Sequence, residues 1–427
     1  VAQFTAEVFQ NEYLAEGATE VHAVVTVTCT GAGTVAASPQ TDAVEVIIVD
    51  TSGSMDMPPN KMAAARRAAS AALEEIVDGS WFAVVSGHSV AQMVYPQHPG
   101  LAKMSPVTRA EAAERVRRLR AGGSTAIGGW ITAATALFEQ SPAGAKRHAI
   151  LLTDGKIEGE PPGALPAALE LARGRFQCDC RGIGSDWVVA ELRTIADALL
   201  GTVDIVAKPE DLEADFEAMM RSSMNRGVPD ARLRLWAPQG SEVLFVRQVA
   251  PTVEDLTAKG VQLSPLVREF PTGAWADEER DYHVAVRVPV APPGNERLAA
   301  RAELVVDDQV LAKALVKAVW TVDSDLTTRI DPAVAHYTGQ AELADVIQQG
   351  LAAKSAGDDR TATVLLGKAA KIAHDSGNEG TTRLLAKVVD VVDLEAGTVR
   401  LKQQVDRTDE MALDTRSTKT TRVRRTS

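Results

Sequence analysis

The chain has 427 residues, 45% of them hydrophobic, and a formal net charge of -12; this is length for two to four domains and apolar content for packed cores. The acidic balance argues against nucleic acid as a partner, although Thr415–Ser427 carries five basic residues and no acidic one. Three cysteines, Cys29, Cys178 and Cys180, exclude a disulfide scaffold, and no stretch approaches the roughly 18 apolar residues of a membrane helix.

Val1–Gln10 lacks a basic region followed by an apolar run, so the chain as given reads as cytoplasmic with no membrane contact; starting without Met, it leaves room for a removed leader. Residues 1–42 hold alternating, strand-like runs, notably Val21–Thr28, and read as the first part of a β-sandwich.

From 43 to 226 short apolar runs alternate with helix-period stretches. Val44–Val49, continuous apart from Glu45, reads as a buried parallel strand. Lys61–Ile76 places Met62, Ala65, Ala69, Ala72, Leu73 and Ile76 on one helical face. Trp81–Val85 and Val90–Tyr95 read as strands. Thr108 with Glu111 suggests a capping box for a helix ending near Arg120. A helix around Trp130–Phe138 follows, then a strand at His148–Thr153 and a helix at Ala164–Arg173. Next come a strand at Cys178–Ile183, a helix at Val188–Leu199, a strand at Thr202–Val206 and a helix at Glu210–Met224. Cys178-Asp179-Cys180 reads as plain strand, since no second Cys pair and no nearby His completes a metal clip. The rhythm predicts an α/β fold with a doubly wound, mostly parallel sheet.

Residues 227–323 return to strand patterning, at Ala231–Trp236, Val243–Val249, Tyr282–Val290, Leu298–Val306 and Val310–Thr321. They would complete the sandwich begun at the N-terminus, with the α/β module inserted in it. Residues 334–406 switch to helix: Gln340–Lys354, Arg360–His374 and Glu379–Val392, separated by Gly357-Asp358 and Gly377-Asn378, predict a small helical bundle. Residues 407–427, rich in Thr, Ser and Arg, read as a disordered tail. Its Thr415, Thr418, Thr420 and Thr421 lie among basic residues and are candidate phosphorylation sites. They would be used by a Ser/Thr kinase and read by a forkhead-associated domain protein.

The chemistry concentrates at strand ends. Val46–Val49 runs straight into Asp50-Thr51-Ser52-Gly53-Ser54, a D-x-S-x-S turn where open α/β sheets place ligands. Gly122-Gly123-Ser124-Thr125 presents a second hydroxyl loop. Leu151-Leu152-Thr153-Asp154-Gly155 presents a second carboxylate at another strand end. Two carboxylates and three hydroxyls suit a small hard cation, Mg²⁺ or Mn²⁺.

These three motifs, in this order, resemble the metal-ion-dependent adhesion site of von Willebrand factor A-type (VWA) and integrin inserted domains, over residues 43–225. The tail resembles those of actinobacterial proteins of this kind. The resemblance implies a Rossmann-like fold and metal contacts at Asp50, Ser52, Ser54, Thr125 and Asp154. It implies a non-enzymatic role, in which an Asp or Glu of a protein partner fills an open metal position, as in an intracellular scaffold or signalling adaptor. It also implies that the last helix, Glu210–Met224, shifts on ligation. Alternatives are a secreted or surface adhesin, a cofactor subunit of an AAA+ ATPase and, more distantly, a metal-dependent phosphatase. The phosphatase reading would want D-x-D where Ser52 stands. A serine nucleophile would want a base such as His88 or His148, and neither serine lies in a nucleophile elbow. The tryptophans read as core, with Trp130, close after Thr125, also a candidate for the rim of the metal face.

Overall fold

The structure is a computed structural model and describes residues 2–32 and 42–422. The chain divides into two compact units. One comprises Ala32–Pro229 with Gly273–Ala276, and the other comprises Ala2–Gly31, Asp230–Thr272 and Asp277–Ser427.

The second unit begins first, with strands β1 (Gln3–Gln10), β2 (Tyr13–Leu14) and β3 (Glu20–Thr30). The chain then builds the α/β unit from β4 (Ala43–Asp50), α1 (Asn60–Glu75), β5 (Trp81–Gly87), β6 (Ala91–Tyr95), β7 (Ala102–Lys103), α2 (Pro106–Arg117) and α3 (Ile127–Phe138). It continues with β8 (Lys146–Thr153), α4 (Ala164–Ala172), β9 (Gln177–Ile183), α5 (Val189–Ala198), β10 (Val203–Val206) and α6 (Leu212–Met224). The strand order is β10-β9-β8-β4-β5-β6, with β7 also on β5. β10, β9, β8, β4 and β5 pair in parallel, while β6 and β7 run antiparallel to β5.

Every residue of the central β4 is buried, as a strand covered on both faces requires. Ile47 and Val49 face a core made with Met62, Ala65, Ala69 and Leu73 of α1, Ala112 and Val116 of α2, and Phe216 and Met220 of α6. The side chains between them, Val46 and Ile48, point to the opposite face by the two-residue strand period, and α3 packs on β4 and β5. The α2 start differs from expectation. Ser105 is the N-cap, exchanging hydrogen bonds with Thr108, and Pro106 opens the helix. Pro fits the first helical turn because its missing N–H would have no partner there. Glu111 instead accepts from the Tyr95 hydroxyl at 2.8 Å.

The second unit resumes with β11 (Val228–Trp236), β12 (Glu242–Ala250), β13 (Glu254–Asp255), β14 (Val261–Ser264), β15 (Val267–Trp275), β16 (Glu278–Arg287), β17 (Glu296–Val306) and β18 (Gln309–Trp320). Its sheets are β1-β3-β16-β12-β13 and β14-β15-β11-β17-β18-β2. β14 and β15 lie in a stretch with no clean alternation. Then follow α7 (Ser324–Thr327), α8 (Pro332–Ser355), α9 (Asp359–Asp375), α10 (Glu379–Val388), β19 (Val389–Asp393), β20 (Thr398–Leu401) and α11 (Arg407–Arg416).

Two expectations fail here. The helix expected over 379–392 stops at Val388, because Val389, Val391 and Val392 are β-branched, and Val389 and Val391 pair with Leu401 and Val399 of β20 through a turn at Gly397, φ +65°. The tail expected to be disordered from 407 is helical to Arg416, capped by Asp406. Three of its few apolar residues are contiguous, and these, Met411, Ala412 and Leu413, are all buried, Leu413 within the α8–α9–α10 core. Residues 418–420 then run against the segment that follows β12. The Val253 N–H donates to the Thr418 carbonyl at 2.8 Å, and the Thr420 N–H donates to the Pro251 carbonyl at 3.1 Å. The tail's Arg424 and Arg425 lie outside the described residues.

Candidate metal centre

β4 and β8 are paired neighbours, so their carboxyl ends deliver Asp50 and Thr153-Asp154 side by side. Asp50 is fully buried. Its Oδ1 accepts from the Ser52 N–H at 2.7 Å and its Oδ2 from the Thr153 hydroxyl at 2.5 Å. Burial pushes its carboxyl up to about 6, against the pull of these hydrogen bonds. The hydroxyls of Ser52 and Ser54 lie 3.0 Å apart, and Ser54 donates to Asp154 Oδ1 at 2.6 Å.

The glycine loop is stitched to this turn by backbone. Gly53 N–H donates to the Gly123 carbonyl at 3.0 Å, and Gly122 N–H donates to the Thr51 carbonyl at 2.7 Å. Gly123 has φ +84°, and a Cβ there would come within 2.9 Å of Ser89 Oγ, so both its conformation and its surroundings call for glycine. The loop is thereby placed so that Thr125 is buried with its hydroxyl beside the others. A Cβ built on Gly155 would meet Thr125 Oγ1 at 3.0 Å and Ser54 Oγ at 3.2 Å. Glycine at 155 avoids that crowding. All five candidate donors, Asp50, Ser52, Ser54, Thr125 and Asp154, therefore gather at one end of the sheet. Among the described residues no cluster of three or more His, Cys, Asp or Glu side chains is placed to hold a metal. A site here would depend on its hydroxyls, and an all-oxygen set fits Mg²⁺ or Mn²⁺.

A profile of the von Willebrand factor type A domain matches residues 45–205, and one of the von Willebrand factor type A C-terminal domain matches 371–417. A solved von Willebrand factor type A protein from Catenulispora acidiphila is 48% identical, over 99% of this chain and 97% of that one, with a TM-score of 0.94. The chain belongs to the von Willebrand factor type A family. VWA2, a paralog of ArnB from Sulfolobus acidocaldarius, shares the fold across 98% of both chains at a TM-score of 0.60 and 15% identity. An uncharacterized protein of Synechocystis is 26% identical over 239 residues, and the chain spans about half the length of that curated relative, 54%. VWA domains are in general non-enzymatic modules of protein–protein interaction.

Several residues acquire roles that the sequence did not suggest. Lys61, in the first turn of α1, is buried and donates to Asp154 Oδ2 at 2.7 Å, with Asp186 Oδ2 at 3.5 Å. At the opposite end of the sheet, His148 gives one ring nitrogen to Glu45 at 2.7 Å and the other to Asp179 at 2.9 Å. Burial opposes the His148 charge, but the two carboxylates win and its pKa is raised; Asp179, also opposed by burial, is held well below the usual carboxylate range by His148, Arg226 and Arg181. Glu45 also accepts from Ser223 Oγ at 2.7 Å, and the buried Lys146 donates to the Ser223 carbonyl, so the end of α6 is tied into the same network. With both ring nitrogens so engaged, His148 sits far from the serines it was considered for. Trp130 is core and not rim: it is 0% exposed and its indole N–H donates to the His88 carbonyl at 2.7 Å. Of the tail threonines, Thr415 is buried with its hydroxyl donating to the Met411 carbonyl at 2.9 Å, and the Thr420 hydroxyl donates to the Val249 carbonyl at 2.7 Å. Thr418 and Thr421 are partly exposed.

Proposed function

We propose that the α/β unit is a metal-dependent binding module. In this reading Asp50, Ser52, Ser54, Thr125 and Asp154 hold Mg²⁺ or Mn²⁺, and the ion takes a Glu or Asp of a protein partner. The observation that carries it is the gathering of five oxygen side chains from three separate loops, with Gly155 free of a Cβ that would crowd Thr125 and Ser54. When bound, the cation supplies a desolvated positive charge with a free coordination position, for which a carboxylate is the natural ligand. The chain's own residues do the positioning: the Ser52 N–H and Thr153 hydroxyl fix Asp50, and the Gly53–Gly123 and Gly122–Thr51 backbone bonds fix the loop that carries Thr125. An intracellular scaffold or signalling adaptor is the role this module fits.

No helix among the described residues is long and apolar enough to cross a membrane. A kinase and a forkhead-associated reader at the tail are the weaker part of the proposal. Thr415 is enclosed, and residues 418–420 are already hydrogen-bonded at the end of β12 and just beyond it, so a tail reader would have to lift this segment first. The direct test is calorimetric titration of Mn²⁺ into the full chain. Saturable binding that Asp154→Ala abolishes is expected, together with partner capture in Mg²⁺ that is lost both in chelator and in the variant. A folded wild type that takes up no divalent ion would overturn the reading.

A further inference from the structure

Resting on the metal-centre reading, we infer that Lys61 is a built-in competitor of the metal, making cation binding and carboxylate binding depend on each other. The geometry is that of a shared ligand. Asp154 offers Oδ1 to the Ser54 hydroxyl, facing the other candidate donors, while its Oδ2 is held by the Lys61 ammonium at 2.7 Å. Both partners of that pair are buried, at 4% and 0% exposure.

The placement of Lys61 is unusual for its element. It sits in the first turn of α1, where the helix dipole disfavours a positive charge. Its side chain crosses to the loop after β9 as well, passing 3.6 Å from the Cβ position of Gly184 and reaching Asp186. A lysine whose only task was to solubilise the helix would point to water. This one is enclosed and committed to one of the two carboxylates of the site.

The charge count then changes. Asp50 and Asp154 alone would be neutralised by one divalent cation. With Lys61 beside Asp154 the buried groups and the ion carry a net charge of +1, which Asp186, exposed to water at 3.5 Å from the ammonium, offsets only in part. In a buried place like charges interact more strongly than in water. That surplus weakens the bare metal complex. An incoming carboxylate restores neutrality, so it binds more tightly once the metal is present, and by linkage the metal binds more tightly once the carboxylate is present. Metal-loaded but unliganded protein is then disfavoured, and when no metal is bound Lys61 supplies the positive charge beside Asp154, with the Ser54 hydroxyl as its other hydrogen-bond partner.

The test is Mn²⁺ titration of the full-length protein, wild type against Lys61→Met and Lys61→Arg, each with and without acetate as the probe carboxylate, corrected for Mn²⁺–acetate complexation. Lys61→Met is expected to bind Mn²⁺ alone at least about tenfold tighter than wild type and to lose most of the gain that acetate brings. Lys61→Arg keeps the charge and stays near wild type. Lys61→Met leaves Asp154 unpaired, so its thermal midpoint without metal should fall and should rise more on adding Mn²⁺. Asp186→Asn, at an exposed position, provides a variant that folds in any case; it frees Lys61 for Asp154 alone, and Mn²⁺ binding should weaken. Equal or weaker Mn²⁺ affinity in a folded Lys61→Met, or tighter binding in Asp186→Asn, would overturn the inference while leaving the metal centre standing. No uptake by either wild type or Lys61→Met would overturn both.

Discussion

Lys146 shows how a buried charge is tolerated and what it costs. Burial pulls its pKa down to about 8 from 10.5, only partly offset by Glu45. Between those two values the unfolded chain binds a proton that the folded chain does not, so stability rises with pH across that window. Wild type should therefore gain on Lys146→Met by on the order of 2–3 kcal/mol between about pH 8 and pH 10.5, read from denaturant midpoints. A pH-independent difference would show that the ammonium is not desolvated as described. The same scale explains what the sequence could reveal of the site. The five oxygen donors were legible because each lies in a short motif at a strand end or in a glycine loop. Lys61 was not, since its partner Asp154 is remote in sequence, though a lysine opening a helix against the dipole was a signal. Glu45, His148 and Asp179 were each visible as polar interruptions of apolar strands. Only the pairing of β4 with β8 and β8 with β9 joins them into one network.

Elements were legible where one period ran uninterrupted. β4, α1, β8 and α3 lie within a few residues of their expected bounds, because their apolar runs are long and packed, the two strands on both faces and the helices against the sheet. Ends set by local chemistry were harder. At α2, Thr108 serves Ser105 rather than beginning its own cap, and Pro106 decides the matter. Ser105→Ala should cost about 1 kcal/mol of stability, while Glu111→Ala, which removes only an exposed bond to Tyr95, should cost less than about 0.5 kcal/mol. Equal losses in chemical denaturation would restore the box starting at Thr108. The misread stretch after α10 has the same origin. Val388–Val392 carries a helix-compatible apolar pattern, but its β-branched run finds a partner strand nine to twelve residues on, which no local pattern announces.

At the scale of the whole molecule, composition misjudged the C-terminal end. Thr- and Arg-rich sequence looks unable to order itself, yet α11 buries three consecutive apolar residues, and Thr418–Thr420 borrow the hydrogen-bonding groups at the end of β12 and just beyond it. Deleting residues 417–427 should expose the Val253 N–H and the Val249 and Pro251 carbonyls. A loss of about 1 kcal/mol per backbone bond is expected, seen as faster amide exchange at Val253. Unchanged protection at that amide would mean the segment is not held there.

The insertion of the α/β unit between β3 and β11 also bears on synthesis. β3 has β1 on one side, but its other neighbour is β16, with Val27 opposite Arg280. At roughly 5–20 residues per second a ribosome needs on the order of tens of seconds to make the intervening stretch of about 250 residues. Through that interval Val21–Cys29, apolar apart from His22, Thr26 and Thr28, waits with one side of its backbone unmated while the inserted unit can already collapse. The nascent chain thus carries a half-paired, largely apolar strand long before its second partner is made, and a holding chaperone would find a foothold there.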